Sequence, residues 1–484
     1  LSAPWEVTYG PDNALWVTEA KGYTVSRIDP ATGDKMVVLD LRSARNFPRY
    51  DKLPDEQDGG KPWPQGGLMG LALHPQFLRG KPYVYLAYVH RYAGAGRSGN
   101  GNAPNYGGQF FRTRVARYVY DTKTHNLTSA VSLCDTIPGS SDHNSGRLLI
   151  APVEGKPYLF YTVGDMGAGQ FDNAGRTNHS QQTSVYEGKV LRFNLEPDAD
   201  RAAADQWVPN NNPFNSRGQN AGRQNAVWSI GHRNAQGLDY AVVGGVGRIY
   251  ATEHGPFADD EVNIIEKGKN YGHPLVLGYN DNNYNGLAAG VTPHTSLPGV
   301  WHTTYPFIRS ESENVRAIGT ASYRDPIKSL YPLSADTLRA IFGKTKNDDP
   351  KKPDWPAEAP SSIAVYTSDA IPGWKNSLLI PTLKTGKIIR LQLSADGSRV
   401  TGDTMTYFKG PVRYRDIALS PDGTRLYVAV DSSSVTSGPS GEDPKGTAYR
   451  GCILEFTYQR TQQPAASRPK GVGTPLPQSG RRKE

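Results

Sequence analysis

His143 lies in the run Ser141-Asp142-His143-Asn144-Ser145-Gly146-Arg147, a short polar turn ahead of the apolar stretch 148–152. Imidazole titrates near neutral pH, so a histidine presented on such a turn can act as a general base, whereas a lone histidine is more often a hydrogen-bonded structural residue. A carboxylate beside it would fix the tautomer and stabilise the imidazolium. Asp165, in Val163-Gly164-Asp165-Met166-Gly167, suits that role. Asp142 is the alternative, although chain neighbours point apart on an extended backbone. Lys384, Arg413 and Arg415 would individually be solvated charges. Arg413 and Arg415, however, are two residues apart and share one face of an extended segment, which suits a bidentate grip on carboxylates. The run Glu253-His254-Gly255-Pro256-Phe257-Ala258-Asp259-Asp260-Glu261 reads either as a solvated acidic turn or as a loop for a hard cation.

Short strands must position these groups. Gly at 52, Pro at 37 and Tyr at 27, with 37% hydrophobic residues, suit strands and turns better than a helical bundle. An apolar pair, a Pro-Asp-Gly type turn and an alternating strand recur. The clearest copies begin at Trp5 and Ile417, and weaker ones span 71–89, 148–163, 238–252 and 363–393. Hairpins returning at this spacing predict an all-β, six-bladed β-propeller of four-stranded antiparallel sheets, with one poorly marked blade around 318–333. Residues 1–460 are expected to form this single domain, and the Pro- and Gly-rich basic stretch 461–484 a flexible tail. The long polar linkers 43–63, 92–109, 198–223, 280–298 and 431–447 are placed to wall a site at one mouth of the channel.

The turn at His143 joins Pro64-Gln65-Gly66-Gly67-Leu68-Met69-Gly70, Gly231-His232-Arg233-Asn234-Ala235-Gln236-Gly237, Glu253-His254-Gly255-Pro256 and Arg413-Tyr414-Arg415-Asp416 in a fixed order. In these five motifs the chain, from about Trp5 to Tyr458, resembles the soluble PQQ-dependent glucose and aldose sugar dehydrogenases. The resemblance implies oxidation of an aldose at C1 to the lactone, with PQQ and Ca²⁺ as cofactors and electrons leaving to a separate acceptor. It makes His143 the base, with Asp165, Arg233 and Gln65 in the catalytic set. It assigns PQQ to Arg233, Asn234, Gln236, Lys384, Arg413 and Arg415, and the sugar to Gln65, Asp142, Gln170, Phe171 and Trp355. The carbonyls of Gly255 and Pro256 would hold the active-site calcium, and Leu277, Tyr279 and Asp281 with Glu313 or Glu311 a further one. Ala357 stands where a glucose-oxidising member has a hydroxyl residue, and Phe171 where it has a smaller aliphatic.

Two rivals come from other classes. A calcium-dependent propeller lactonase would hold its metal on side-chain carboxylates and have no use for the basic trio. A non-catalytic binding module would not need both base and cations.

The net charge is +8, but residues 461–484 hold five basic side chains against one acid, so half of it belongs to the tail. What remains is too weak and scattered to track a phosphate backbone, which excludes nucleic acid as a partner. Cys134 and Cys452 form no metal spacing and are expected to be free thiols. No apolar run approaches a membrane span, and a start at Leu1 without Met is what a processed, exported chain would show; a periplasmic or secreted monomer or homodimer is expected.

Overall fold

The computed structural model describes residues 1–44, 65–90, 97–98, 109–140, 142–170, 173–215, 224–349, 356–432 and 448–459. Six antiparallel sheets follow one another along the chain. The first contains Pro4–Tyr9, Leu15–Glu19, Thr24–Ile28 and Lys35–Asp40. The second is built on Leu68–Leu73, Tyr83–His90 and Gln109–Asp121, with Asn126–Ser140 on its outer edge and the short Arg97–Ser98 beside them. The third contains Leu148–Val153, Lys156–Val163, Lys189–Asn194 and Val227–Ile230. The fourth contains Ala235–Val243, Val246–Glu253, Asp260–Ile265 and Lys328–Leu330. Ala364–Tyr366, Ser377–Pro381, Ile388–Leu393 and Val400–Tyr407 form the fifth. Tyr414–Leu419, Arg425–Val430 and Ile453–Thr457 are the three described strands of the sixth.

Five of the six recurrent stretches are the inner strand pairs of these blades, and 363–393 covers the first three strands of the fifth. The stretch 318–333 is not a blade: it holds the end of helix α1 (Glu311–Ile318) and Lys328–Leu330, the outermost strand of the fourth sheet. The hairpin turns have the local chemistry they need; Asn13, for example, takes φ 55°, which a tight turn between strands demands.

Neighbouring blades share apolar cores, and these cores run around a closed ring. Trp5, Trp16 and Val25 of the first blade pack on Leu68, Leu86 and Val89 of the second. Further clusters join the second to the third, third to fourth, fourth to fifth and fifth to sixth. Val7, Leu15 and Val17 then meet Ala418, Tyr427 and Ala429, which joins first to sixth. Each fully buried Val or Leu contributes about 1.5–3 kcal/mol, so a blade alone would leave its stabilising faces wet. The ring has that closure without a shared sheet.

On the axis, Arg147 connects the blades. Its NH1 binds Glu6 Oε2 at 2.6 Å and Asp416 Oδ2 at 3.1 Å, Nε donates to the carbonyl of Gln236 at 2.9 Å, and NH2 donates to that of Ser361 at 3.0 Å. The guanidinium also lies 4.2 Å from the Trp5 ring centroid. Residues preceding or within the first, third, fourth, fifth and sixth sheets thus meet on one side chain.

Helix α1 and helix α2 (Ala335–Lys346) are capped by Ser310 and Ser334, whose hydroxyls accept from Glu313 N and Thr337 N. Helix α2 contributes Leu338 and Phe342 to a satellite core with Phe257, Tyr284, Leu287, Tyr305 and Ile308, and α1 places Val315 against Val276 and Tyr323. Neither cysteine is bridged. Among the described residues no helix is long and apolar enough to cross a membrane.

Candidate active site

His143 lies between the second and third sheets with φ 46°, and Ser145 follows at 54°, a left-handed conformation that side chains other than glycine rarely adopt. Several contacts hold it there. Asn144 Oδ1 accepts from Ser140 N at 2.9 Å, its Nδ2 donates to the Gln65 carbonyl at 2.7 Å, and Ser145 N donates to Asn234 Oδ1 at 3.2 Å. Gly164 passes so close beneath that a Cβ on it would stand 1.9 Å from the His143 carbonyl oxygen. No other residue fits without moving the turn.

His143 Nδ1 is 2.7 Å from Asp165 Oδ1. Burial alone would raise the Asp165 pKa, but the two imidazoles that meet it, His143 and His273, outweigh it and hold the carboxyl well below its usual range. Asp165 is therefore ionised, and Nδ1 carries the proton. The other nitrogen is assigned through Gln170, whose Oε1 accepts from Arg233 NH2 at 2.7 Å. Its amide nitrogen must then face His143 Nε2, at 2.9 Å, and donate to it. His143 Nε2 thus presents a lone pair. Asp142 instead takes the same amide nitrogen at 3.1 Å and caps the His143 backbone N at 3.0 Å. Asp165, not Asp142, is the partner of the ring.

This imidazole opens into a cavity of about 560 Å³ that also touches Gln65, Asp142, Gln170, Arg233, Asn234, Gln236, Lys384, Arg413 and Arg415. Arg413 and Arg415 converge on Asp431, at 3.8 and 2.7 Å, and Arg415 also donates to Gln236 Oε1 at 2.8 Å. Burial pulls the Arg413 pKa down to about 10, against the opposing charge of Asp431. Among the described residues no acceptor meets the buried Nε of Arg233. Four cations around one cavity fit a ligand with several carboxylates.

Gly255 and Pro256 line the same cavity, beside buried Asp260. Asp260 accepts from Gly255 N at 2.8 Å and Glu358 N at 2.6 Å, yet burial still lifts it to about 6. Leu277, Tyr279 and Asp281 form a separate turn. Glu311, fully buried, accepts from Leu277 N at 3.0 Å and Tyr284 N at 3.3 Å; Glu313 points away, its side chain 64% exposed beside Arg316. Burial raises Glu311 to about 8 and neighbouring Asp259 to about 7. Among the described residues no three His, Cys, Asp or Glu side chains form a metal cluster, so a cation at either place would depend on backbone carbonyls with few carboxylates. That donor set and the raised acids suit a hard cation.

Phe171 and Trp355 lie outside the described residues. The linker 280–298 does wall the cavity, through Ala289 to His294. The sequence reading did not single out His273, Asn178, Tyr305 or Asp431. His273 precedes a proline in Gly272-His273-Pro274, and Tyr305 does so in Thr304-Tyr305-Pro306, but neither run distinguishes a site from a turn.

The chain is similar to known proteins in sequence and in fold. The Glucose / Sorbosone dehydrogenase family matches residues 1–324 and 337–436. Quinoprotein glucose dehydrogenase B of Acinetobacter calcoaceticus is 32% identical over 479 residues, covering 95% of this chain and 89% of the relative. Aldose sugar dehydrogenase YliI of Escherichia coli is 27% identical over 437 residues, 90% and 88% of the two chains. Among solved structures, the PQQ-bound aldose sugar dehydrogenase of Streptomyces coelicolor shares the fold with a TM-score of 0.56 at 23% identity, covering 94% of each chain. With its propeller, its buried dyad and a family match over most of its length, this chain belongs to the glucose/sorbosone dehydrogenase family of oxidoreductases.

Proposed function

We propose that this protein oxidises aldose sugars, glucose and related mono- or disaccharides, at C1 to the lactone, with PQQ and Ca²⁺ as cofactors and His143 as the base. The observation that carries the reading is the unprotonated Nε2 of His143, backed by ionised Asp165, in a cavity walled by Arg233, Lys384, Arg413 and Arg415. Bound PQQ supplies an acceptor for hydride, and Ca²⁺ the positive charge that makes it a better one.

The chain's own work is positioning and proton transfer. Lys384, Arg413, Arg415 and Arg233 hold the cofactor carboxylates and quinone edge, with Asn234 and Gln236 beside them. The carbonyls of Gly255 and Pro256 serve the active-site calcium; Leu277, Tyr279 and Asp281 serve the second with Glu311, whose buried carboxyl favours it over the exposed Glu313. Gln65, Asp142 and Gln170, with Phe171 and Trp355, contact the sugar. Gln170 yields His143 Nε2 to the C1 hydroxyl, whose proton moves to that nitrogen as C1 loses its hydride. Asp165 stabilises the imidazolium, and the proton leaves to solvent before the next turnover. The lactonase rival gives no role to the basic wall. Calcium-dependent work of this kind suits an exported location.

Adding PQQ and Ca²⁺ to purified apoprotein tests the reading directly. The expected result is the absorption of a bound quinone that bleaches on addition of glucose. Binding without bleaching by any aldose would dismiss the substrate class, and no binding would dismiss the cofactor.

A further inference from the structure

Asp165 is held by more than His143. Its Oδ1 takes His143 Nδ1 at 2.7 Å and Gly167 N at 2.9 Å; its Oδ2 takes His273 Nε2 at 2.9 Å, Asn178 Nδ2 at 3.1 Å and the Tyr305 hydroxyl at 3.1 Å. The carboxylate has 0% exposure, so none of these donors can be replaced by bulk water.

Two of the donors have fixed chemistry. Among the described residues no group meets His273 Nδ1, which is buried; a proton there would be unsatisfied, so the ring is neutral and its proton sits on Nε2, facing Asp165. Burial pushes its pKa down in the same sense, opposed by Asp165. Tyr305 is wedged. A Cβ on Gly169 would stand 2.6 Å from its ring and one on Gly290 2.9 Å, and the ring stands edge-on to His273 at 5.7 Å. Just upstream, Thr303 Oγ1 donates to the Gly169 carbonyl at 2.7 Å, and Thr304 ties to the carbonyls of Ala174 and Arg176. The excursion bracketed by the Leu287–Ile308 bridge thus walls the cavity with Ala289 to His294 and returns through Tyr305 to the carboxylate.

We infer that Tyr305 and His273 are positioning residues: they saturate Oδ2 of Asp165 so that Oδ1 is presented to His143, and Tyr305 ties this alignment to the cavity wall. The inference rests on the reading of His143 as the base. Its consequence has a sign. Each neutral donor on Oδ2 disperses negative charge; removing one leaves more charge facing His143 and favours its imidazolium. The other ionisable groups around the pair are Arg233 and His254 on the cavity side, Asp142 beside Gln170, and Glu253 behind His273, and none is altered by the change.

The test uses the full chain carrying ¹³C-labelled histidine. His143, assigned by loss of its signal in His143→Asn, is titrated by NMR in wild type, Tyr305→Phe, His273→Leu and His273→Gln, and the pH profile of kcat/KM is recorded for the reconstituted enzymes. Tyr305→Phe keeps the wedge and should raise the His143 pKa by roughly half to one unit, moving the acid limb of the profile by the same amount and lowering kcat more than it raises KM. His273→Leu should act in the same direction, and His273→Gln, which keeps a donor, should recover most of the wild-type value. An unmoved His143 titration in Tyr305→Phe, or equal effects of Leu and Gln at 273, would overturn the positioning role. Persistence of the wild-type acid limb in His143→Asn would instead remove His143 as the base, and with it the inference.

Discussion

His143 and its left-handed backbone show how much of this site depends on single atoms. Replacing it with Ala should leave PQQ affinity near wild type while turnover falls by roughly 10²-fold or more, because the change removes proton transfer and not the cationic wall. Spectral titration of PQQ followed by turnover of the loaded variant measures both. Arg415→Ala and Lys384→Ala should act oppositely. A carboxylate left in the cavity without its cation costs on the order of 3 kcal/mol, roughly a hundredfold in cofactor Kd, and turnover of the saturated variant should change far less. An unaltered Kd in both would place these side chains outside the ligand's reach. The residue types were legible in sequence because a base, a carboxylate and a basic trio have few substitutes. The partners of Asp165 were not: His273 and Tyr305 lie 108 and 140 residues from it, and only the ring of blades brings them there.

The elements differ in how openly the sequence declares them. Each blade's inner hairpin is easy to read because it packs on two neighbours, as the wholly buried pattern of Leu15–Glu19 and Ser377–Pro381 shows. Outer strands such as Val400–Tyr407 are largely wet and carry little apolar signal. That is why Lys328–Leu330, separated from the rest of its sheet by a long excursion, invited the idea of a separate blade. The choice between Glu311 and Glu313 was likewise hidden: both lie in the first turn of α1, and only packing sends one inward. This turn gives a pH prediction. Glu311 near 8 and Asp259 near 7 have pKa values above those of an unfolded chain, so without a cation the folded state binds the extra protons and stability is lost as pH rises from about 4.5 through 8. Chelator-treated protein should therefore melt at progressively lower temperature over that window. Added Ca²⁺ should restore Tm most at the alkaline end, and Glu311→Gln should flatten the loss. A Tm that rises with pH under chelation would contradict the assignment of this turn to a cation.

At the scale of the molecule, six sheets close through apolar cores, and Arg147 joins most of them at the axis. Burial, opposed by Arg147 and reinforced by Asp416, lifts the Glu6 pKa well above the usual carboxylate range, and removing the guanidinium would leave both acids without their cation. Arg147→Met should destabilise the fold by about 3–5 kcal/mol, measurable by denaturant titration, whereas Glu6→Gln should cost much less because it retains an acceptor for Arg147. Equal losses in the two variants would mean that the cluster acts by packing alone.

Arg147 also stands four residues from His143, on the same turn. A side chain that reads the spacing of several blades at once makes the base's turn a gauge of ring assembly: until the first and sixth blades meet, Glu6 and Asp416 are apart, and the loop bearing the imidazole lacks the ion pairs of Arg147. An incompletely assembled chain would then be inert as well as unstable, so that activity and ring completion would appear together during refolding.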